Sequence, residues 1–425
     1  MKEKLKYIIF GNGKEIEKKC VFWNMLFSIL FSLQSAIMLL IVTRINGTED
    51  AGILSIAFAA AYLMFTIGVY GVRNFQVTDF KKNYYYDDYR KMRLLSCGFM
   101  VIFSFGYCIW KSYESYKMTV VLSVCFLKLL EAIEDLYHGE LQRAGRLDIA
   151  GRSGAIRLII NYFIFIIILL LKKNLLLAMD IVIISSFIII VFTRILVDSL
   201  LIRKNKSREE KGKLMKLAKA CFPLFITSFL SIYIGNSPKY AIDAYLTESE
   251  QAYYAIISMP VFTINLLSGI IYRPNLVYMA KLWNEEKIEK FKKVLLKQSR
   301  NIAIIAIMIL GFGISIGLKM LEILYGVSLA TLKYEFAILL IGGGMAAAYN
   351  FLTVCITIMR KQSFLIVLSV FIMIVAFAIS NSMVYYAGLM GASCLYLILM
   401  TCEMLVVFIV LWIHLKKINN YDKAV

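Results

Sequence analysis

Histidine is nearly absent from this chain: His138 and His414 are the only two in 425 residues. A catalytic centre or zinc site built on imidazole therefore has almost no material. The eight cysteines (Cys20, Cys97, Cys108, Cys125, Cys221, Cys355, Cys394 and Cys402) are scattered, and none forms a CxxC pair. They read as small core residues, with no metal or disulfide framework among them. Nothing matches GxxxxGK followed by Ser or Thr, so a phosphate-binding loop for ATP hydrolysis is missing. Charge is scarce too, at 18% of residues against about 25% in an ordinary soluble domain.

What the chain has instead is apolar surface. Hydrophobic residues make up 60% of it, with a mean hydropathy of +0.73. A water-soluble fold cannot hide that much. The net charge of +19 does not point to nucleic acid, because the basic residues stand in short runs between apolar stretches of about 20 residues. A phospholipid bilayer is the partner this pattern implies, since Lys and Arg beside spans set orientation and attract anionic headgroups.

Apolar runs long enough to cross about 30 Å of hydrocarbon as helix lie at roughly 20–43, 51–72, 93–110, 118–138, 154–171 and 175–200. Six more lie at roughly 218–236, 251–272, 299–318, 331–358, 362–380 and 387–414. The expected fold is an all-α integral membrane protein of about twelve transmembrane helices. The connections on the side of the N-terminus hold about 37 Lys and Arg, and the opposite loops about eight. That asymmetry predicts both termini in the cytoplasm. The basic N-terminus runs into a full-length span without a small-residue cleavage site, so no cleavable signal peptide is expected. Trp23, Trp110 and Trp412 fall at span ends, where an indole is favoured between headgroups and hydrocarbon. From Leu276 to about Gln298 apolar residues recur at helical spacing against a charged face, which predicts a helix lying on the cytoplasmic membrane surface.

The halves echo each other at an offset of about 200 residues. Thr48-Glu49-Asp50-Ala51-Gly52 follows the first span and Ser249-Glu250-Gln251-Ala252-Tyr253 the seventh, and the next spans end in Arg73-Asn74 and Arg273-Pro274-Asn275. Six spans between copies preserve orientation, so two parallel six-helix lobes around a central cleft are expected. Residues 1–201 form the first lobe, 202–217 a cytoplasmic linker and 218–425 the second lobe.

A charge inside a span costs several kcal/mol unless a partner or a wet cavity meets it. The fourth span carries most of this charge: Lys128, Glu131 and Asp135 share one face, extended by His138, Gln142 and Arg146, with Glu134 beside it. Two readings stay open. Either salt bridges hold helices together, Lys128 with Glu131 and Asp135 with a neighbouring helix, or the stripe walls a wet cavity where Lys128 meets a phosphate and a carboxylate exchanges an ion. At the seventh span Pro238 cannot donate the next helical hydrogen bond, so the helix is expected to stop there and expose Asn236, Lys239 and Asp243. Pro260 is expected to bend the eighth span. Glu403, in the last span, has no evident partner.

Several segments carry a resemblance: Arg44-Ile45-Asn46-Gly47-Thr48-Glu49-Asp50-Ala51-Gly52, Gly71-Val72-Arg73-Asn74, Gly139-Glu140-Leu141-Gln142-Arg143, and Asn236-Ser237-Pro238-Lys239-Tyr240 with Tyr253-Tyr254-Ala255. With them the chain resembles, over nearly its full length, bacterial polysaccharide flippases of the multidrug/oligosaccharidyl-lipid/polysaccharide exporter superfamily. The resemblance implies a non-enzyme of the bacterial cytoplasmic membrane that needs no cofactor. Its substrate would be an undecaprenyl-diphosphate-linked oligosaccharide for O-antigen or capsule, moved by alternating access on an ion gradient. A polysaccharide polymerase and glycosyltransferases are its implied partners. The substrate-binding candidates are then Lys128, Asn236, Lys239, Arg44, Arg73 and Arg273, and the ion-coupling candidates Glu131 and Asp135. An ion-coupled multidrug or metabolite antiporter of the same superfamily is the alternative, with Glu131 as its acid. A membrane-embedded scaffold or transferase of glycan assembly is a third, for which the short outer loops offer no catalytic domain.

Overall fold

The computed structural model describes residues 16–79, 84–198, 212–359 and 363–422. The basic stretch 203–211 of the expected linker lies outside the described residues. Among the described residues every regular element is helical. The chain divides into two compact units, Met1–Phe229 and Leu230–Val425. The boundary falls within the helix that begins after the linker, so the first half of the seventh span belongs to the N-terminal unit.

In the N-terminal unit the helices are α1 (Ile16–Ser32), α2 (Gln34–Ile45), α3 (Thr48–Val69), α4 (Val72–Thr78), α5 (Tyr86–Trp110), α6 (Ser115–Arg143), α7 (Leu147–Lys172) and α8 (Leu175–Asp198), with the start of α9 (Lys213–Tyr245). Helices α1 and α2 form one expected span, broken by a bend of 46°. Helix α3 is buried on nearly all sides because small residues such as Ala51, Gly52, Ser55, Ala57, Ala60 and Ala61 let its neighbours close in. At α7, a Cβ on Gly151 would come within 2.6 Å of the Trp23 and Asn24 backbone, so glycine permits the close crossing of α1 and α7. Helix α6 is the hub, packing against α3, α5, α7 and α8.

The C-terminal unit holds the rest of α9, then α10 (Glu248–Tyr272), α11 (Leu276–Asn284), α12 (Ile288–Phe312), a π-helical turn at Gly313–Gly317, α13 (Leu318–Tyr325), α14 (Lys333–Ile358) and α15 (Ser363–Asp422). Its hub is α14, which packs on α10, α12 and α15. The 60 residues of α15 are two spans, separated at Gly388 by backbone angles of φ 54° and ψ −136°.

Nine described helices are long and apolar enough to cross a membrane, and the bent α1–α2 pair makes ten. Dividing α15 at Gly388 and adding α6, whose charges keep it off that tally, reaches the expected twelve.

Two local expectations need correcting. Pro238 does not end its helix, which runs on to Tyr245. The carbonyl that the missing Pro238 N–H would have met, that of Ile234, instead accepts the Ser237 hydroxyl at 2.9 Å, and the Asn236 side chain caps Ile232 O at 3.0 Å. Side chains re-satisfy the backbone, so the helix survives its proline. The segment expected to form one surface helix is two elements: α11 ends at Asn284, Glu286 takes a left-handed φ of 57°, and the remainder opens α12, the ninth span.

The break at Gly388 gives a direct test. A Cβ there meets nothing within 4 Å, so Gly388→Ala is penalised by backbone conformation alone. It should cost about 1–3 kcal/mol, read as a lower unfolding midpoint of the detergent-solubilised protein; an unchanged midpoint would refute the two-span reading of α15.

Candidate functional site: a charged network inside the N-terminal unit

The polar stripe of α6 is almost entirely internal. Lys128 is fully buried and donates to Gln34 Oε1 at 2.5 Å and to Glu131 Oε2 at 2.7 Å. Gln34, the first residue after the break in span one, returns a hydrogen bond to Glu131 Oε1 at 2.9 Å. Aromatic faces close the site: the ammonium lies 4.6 Å from the Phe31 ring centroid and 4.4 Å from that of Tyr62. Such ring contacts are strongest where water is excluded.

One turn further along, Arg157 of α7 joins the two carboxylates. Its Nη2 and Nε reach Glu134 Oε2 at 2.7 and 3.1 Å, and its Nη1 reaches Glu131 Oε1 at 3.4 Å. Lys128 and Arg157 thus offset Glu131 and Glu134, two cationic side chains against two carboxylic ones. His138 Nε2 stands 3.7 Å from Glu134 Oε1 and 3.5 Å from Ser153 Oγ, its ring edge-on to Phe27.

Toward the end of α6 a second cluster forms on Asp135. Its two oxygens each pair at 2.9 Å, one with Arg73 of α4 and the other with Arg93 of α5. Arg73 also donates to Gln142 Oε1 at 3.0 Å, and Arg93 to Gly68 O at 3.0 Å. Gln76 reaches Glu140 at 3.0 Å alongside. The stripe therefore ties α6 to α1–α2, α4, α5 and α7 by hydrogen bonds.

The eight residues singled out in the sequence do not form one constellation. Lys128, Glu131, Asp135 and Arg73 share the α6 network. Arg44 is exposed at the end of α2, at the opposite end of the 22-residue helix α3 from Arg73. In the C-terminal unit Asn236 and half-buried Lys239 are near the end of α9, whereas Arg273 is exposed at the far end of α10, which runs back from the α9–α10 turn. Asn236 uses its amide on its own helix. Sequence reasoning missed Arg157, Gln34 and Arg93. Arg157 stands near the start of the expected fifth span and is wholly buried in α7. The available signal was stoichiometric: three carboxylates within two turns of α6 need more cations than Lys128 alone.

The class of the protein is defined by these features: a polytopic, all-helical membrane protein of two helical units. No protein-family profile matches the chain, and no curated protein matches it in sequence. Solved structures do match. An inward-facing multidrug resistance MATE family transporter of the MOP superfamily aligns with 91% of this chain and 95% of its own, at a TM-score of 0.66 and 11% identity. An outward-facing one aligns at 0.58 and 14% identity, covering 97% and 98%. A MOP superfamily transporter from Pyrococcus furiosus, whose reported reverse polarity of the binding pocket suggests a different function for it, aligns at 0.57 and 12% identity, again covering 97% and 98%. The fold is that of the MATE transporters.

The network predicts a marked asymmetry between mutations. Arg157→Met leaves Glu134 without its guanidinium and should cost about 3–5 kcal/mol, seen as a lost monodisperse peak or a much lower unfolding midpoint. Combining it with Glu134→Gln should recover most of that loss; if the double variant is as damaged as the single, the charge-balance account fails.

Proposed function

We propose that this protein is a secondary transporter that works by alternating access, and that its cargo is an undecaprenyl-diphosphate-linked oligosaccharide carried across a bacterial cytoplasmic membrane. The transport part is supported by the fold, shared with transporters solved in both inward- and outward-facing conformations. The cargo part draws on the sequence resemblance and on one observation in the C-terminal unit. There a groove of about 340 Å³ runs between α12, α14 and α15, with a lining that is apolar except for Ser299. Ala306, Leu310, Leu340, Met345 and Phe408 are among its walls. A surface of this chemistry suits an isoprenoid chain, which packs against it by dispersion contacts without leaving a polar group unmet.

For the diphosphate, Lys239 is the candidate with the most suitable setting, half-buried in the second half of α9. Lys128 is less available, because its ammonium is already held by Gln34, Glu131 and two rings. In this reading the α6 network holds the N-terminal unit rigid during the cycle, and Glu131 and Asp135 act in ion coupling only if the network opens. Both termini are cytoplasmic, and glycosyltransferases and a polymerase act before and after the transport step.

A second reading, ion-coupled multidrug efflux, is favoured by the multidrug resistance transporters among the structural neighbours. The same apolar groove suits a lipophilic drug. Deletion of the gene separates the two. The flippase reading expects lipid-linked glycan to accumulate on the cytoplasmic leaflet with drug sensitivity unchanged, whereas increased drug sensitivity with normal surface glycan establishes the second.

Two variants test the residues. Ala306→Phe, which fills the groove, should lower export about tenfold or more at unchanged folded yield. Lys239→Ala should reduce export by about the same factor if it meets a phosphate, and normal export would remove it from the site.

A further inference from the structure

A cavity of about 200 Å³ lies wholly within the N-terminal unit, apart from any transport role of the α6 network. At about 30 Å³ per water it has room for roughly seven. It opens between α5, α6 and α8, and its polar lining includes three guanidinium groups, from Arg90, Arg93 and Arg194. Glu134, the one carboxylate among the lining residues, is already neutralised by two hydrogen bonds to Oε2 from Arg157.

Arg93 points to a missing ligand. It is 1% exposed, and its terminal nitrogens are used on Asp135 and Gly68 O, but its buried Nε has no acceptor among the described residues. A buried guanidinium donor left unmet costs about 1–3 kcal/mol, and Arg93 is one of the residues that line the cavity, where an anion would meet its positive charge.

The position of the cavity narrows the anion. It lies where α5 begins and α6 and α8 end, which the Lys and Arg distribution makes the cytoplasmic end. Its flanks are apolar and outward-facing: Leu94, Leu95 and Phe99 on α5, Val191 and Ile195 on α8, all exposed. Basic pockets between spans on the cytoplasmic side are suited to lipid headgroups. From this geometry we infer that the cavity is a binding site for the phosphate of an anionic phospholipid of the cytoplasmic leaflet, the acyl chain lying over Leu94 and Ile190.

This site does not depend on which substrate is transported, and its test reads binding alone. The full-length protein is stripped of lipid in detergent and titrated with phosphatidylglycerol, phosphatidylcholine or inorganic phosphate while the unfolding midpoint is followed. Phosphatidylglycerol should raise the midpoint saturably, with the other two ineffective. Arg90→Ala with Arg194→Ala should weaken its apparent affinity about tenfold or more. Ile190→Trp, which fills the cavity and keeps every charge, should do the same. Equal shifts with phosphatidylcholine, or a phosphatidylglycerol response unchanged in both variants, would overturn the proposal. An equal shift with inorganic phosphate would overturn the lipid assignment and identify a soluble anion as the occupant. If neither variant folds, the comparison of the three additives on the parent protein decides it.

Discussion

The N-terminal unit depends on accommodating two neighbouring glutamates at membrane depth. Glu131 and Glu134 stand on one turn of α6 and are both nearly inaccessible. In hydrocarbon each would carry a penalty of several kcal/mol, and their mutual repulsion adds to it. Arg157 lies between them and Lys128 closes the other side. The location of these four charges requires α7 to cross α6 at one register and span one to break where Gln34 can complete the set.

That arrangement makes the interior of the N-terminal unit polar yet satisfied. Hydrogen-bonded charge gives a specificity that apolar packing in lipid cannot, since lipid tails are as apolar as Leu. The C-terminal unit is built otherwise. Its hub, α14, carries Gly342, Gly343 and Gly344, where Cβ atoms would press on Tyr396, Val261, Ile264 or Ala306. Close helix packing there comes from small residues, and a groove remains beside Gly344. Two halves that echo each other in sequence are thus stabilised by different physics, which is why polar substitutions should be tolerated so unequally between them.

A self-satisfied network also limits what the stripe does in function. Both oxygens of Glu131 are already engaged by Lys128, Arg157 and Gln34, so ion coupling through Glu131 would require α7 or α1–α2 to shift. Among the described residues a buried donor without an acceptor is Arg93 Nε, beside the cavity that opens between α5, α6 and α8.

Helicity and the number of spans were legible from the sequence, because hydrocarbon leaves the backbone few options and a run of about 20 apolar residues declares itself. The charged stripe on α6 was legible too, since side chains three and four apart share a face. The partners were not. Nothing in the sequence pattern reveals that Arg157 of α7 meets a carboxylate more than 20 positions away. Likewise Pro238 announced a helix end that the Ser237 hydroxyl cancels through the Ile234 carbonyl, and a uniform apolar pattern concealed where the C-terminal groove would open. The sequence by itself determined which segments enter the membrane, through transfer free energies that act residue by residue. Only the tertiary structure decided which charges are paired, which donor is left unmet and which cavities exist, because those follow from helix registers that no local pattern contains.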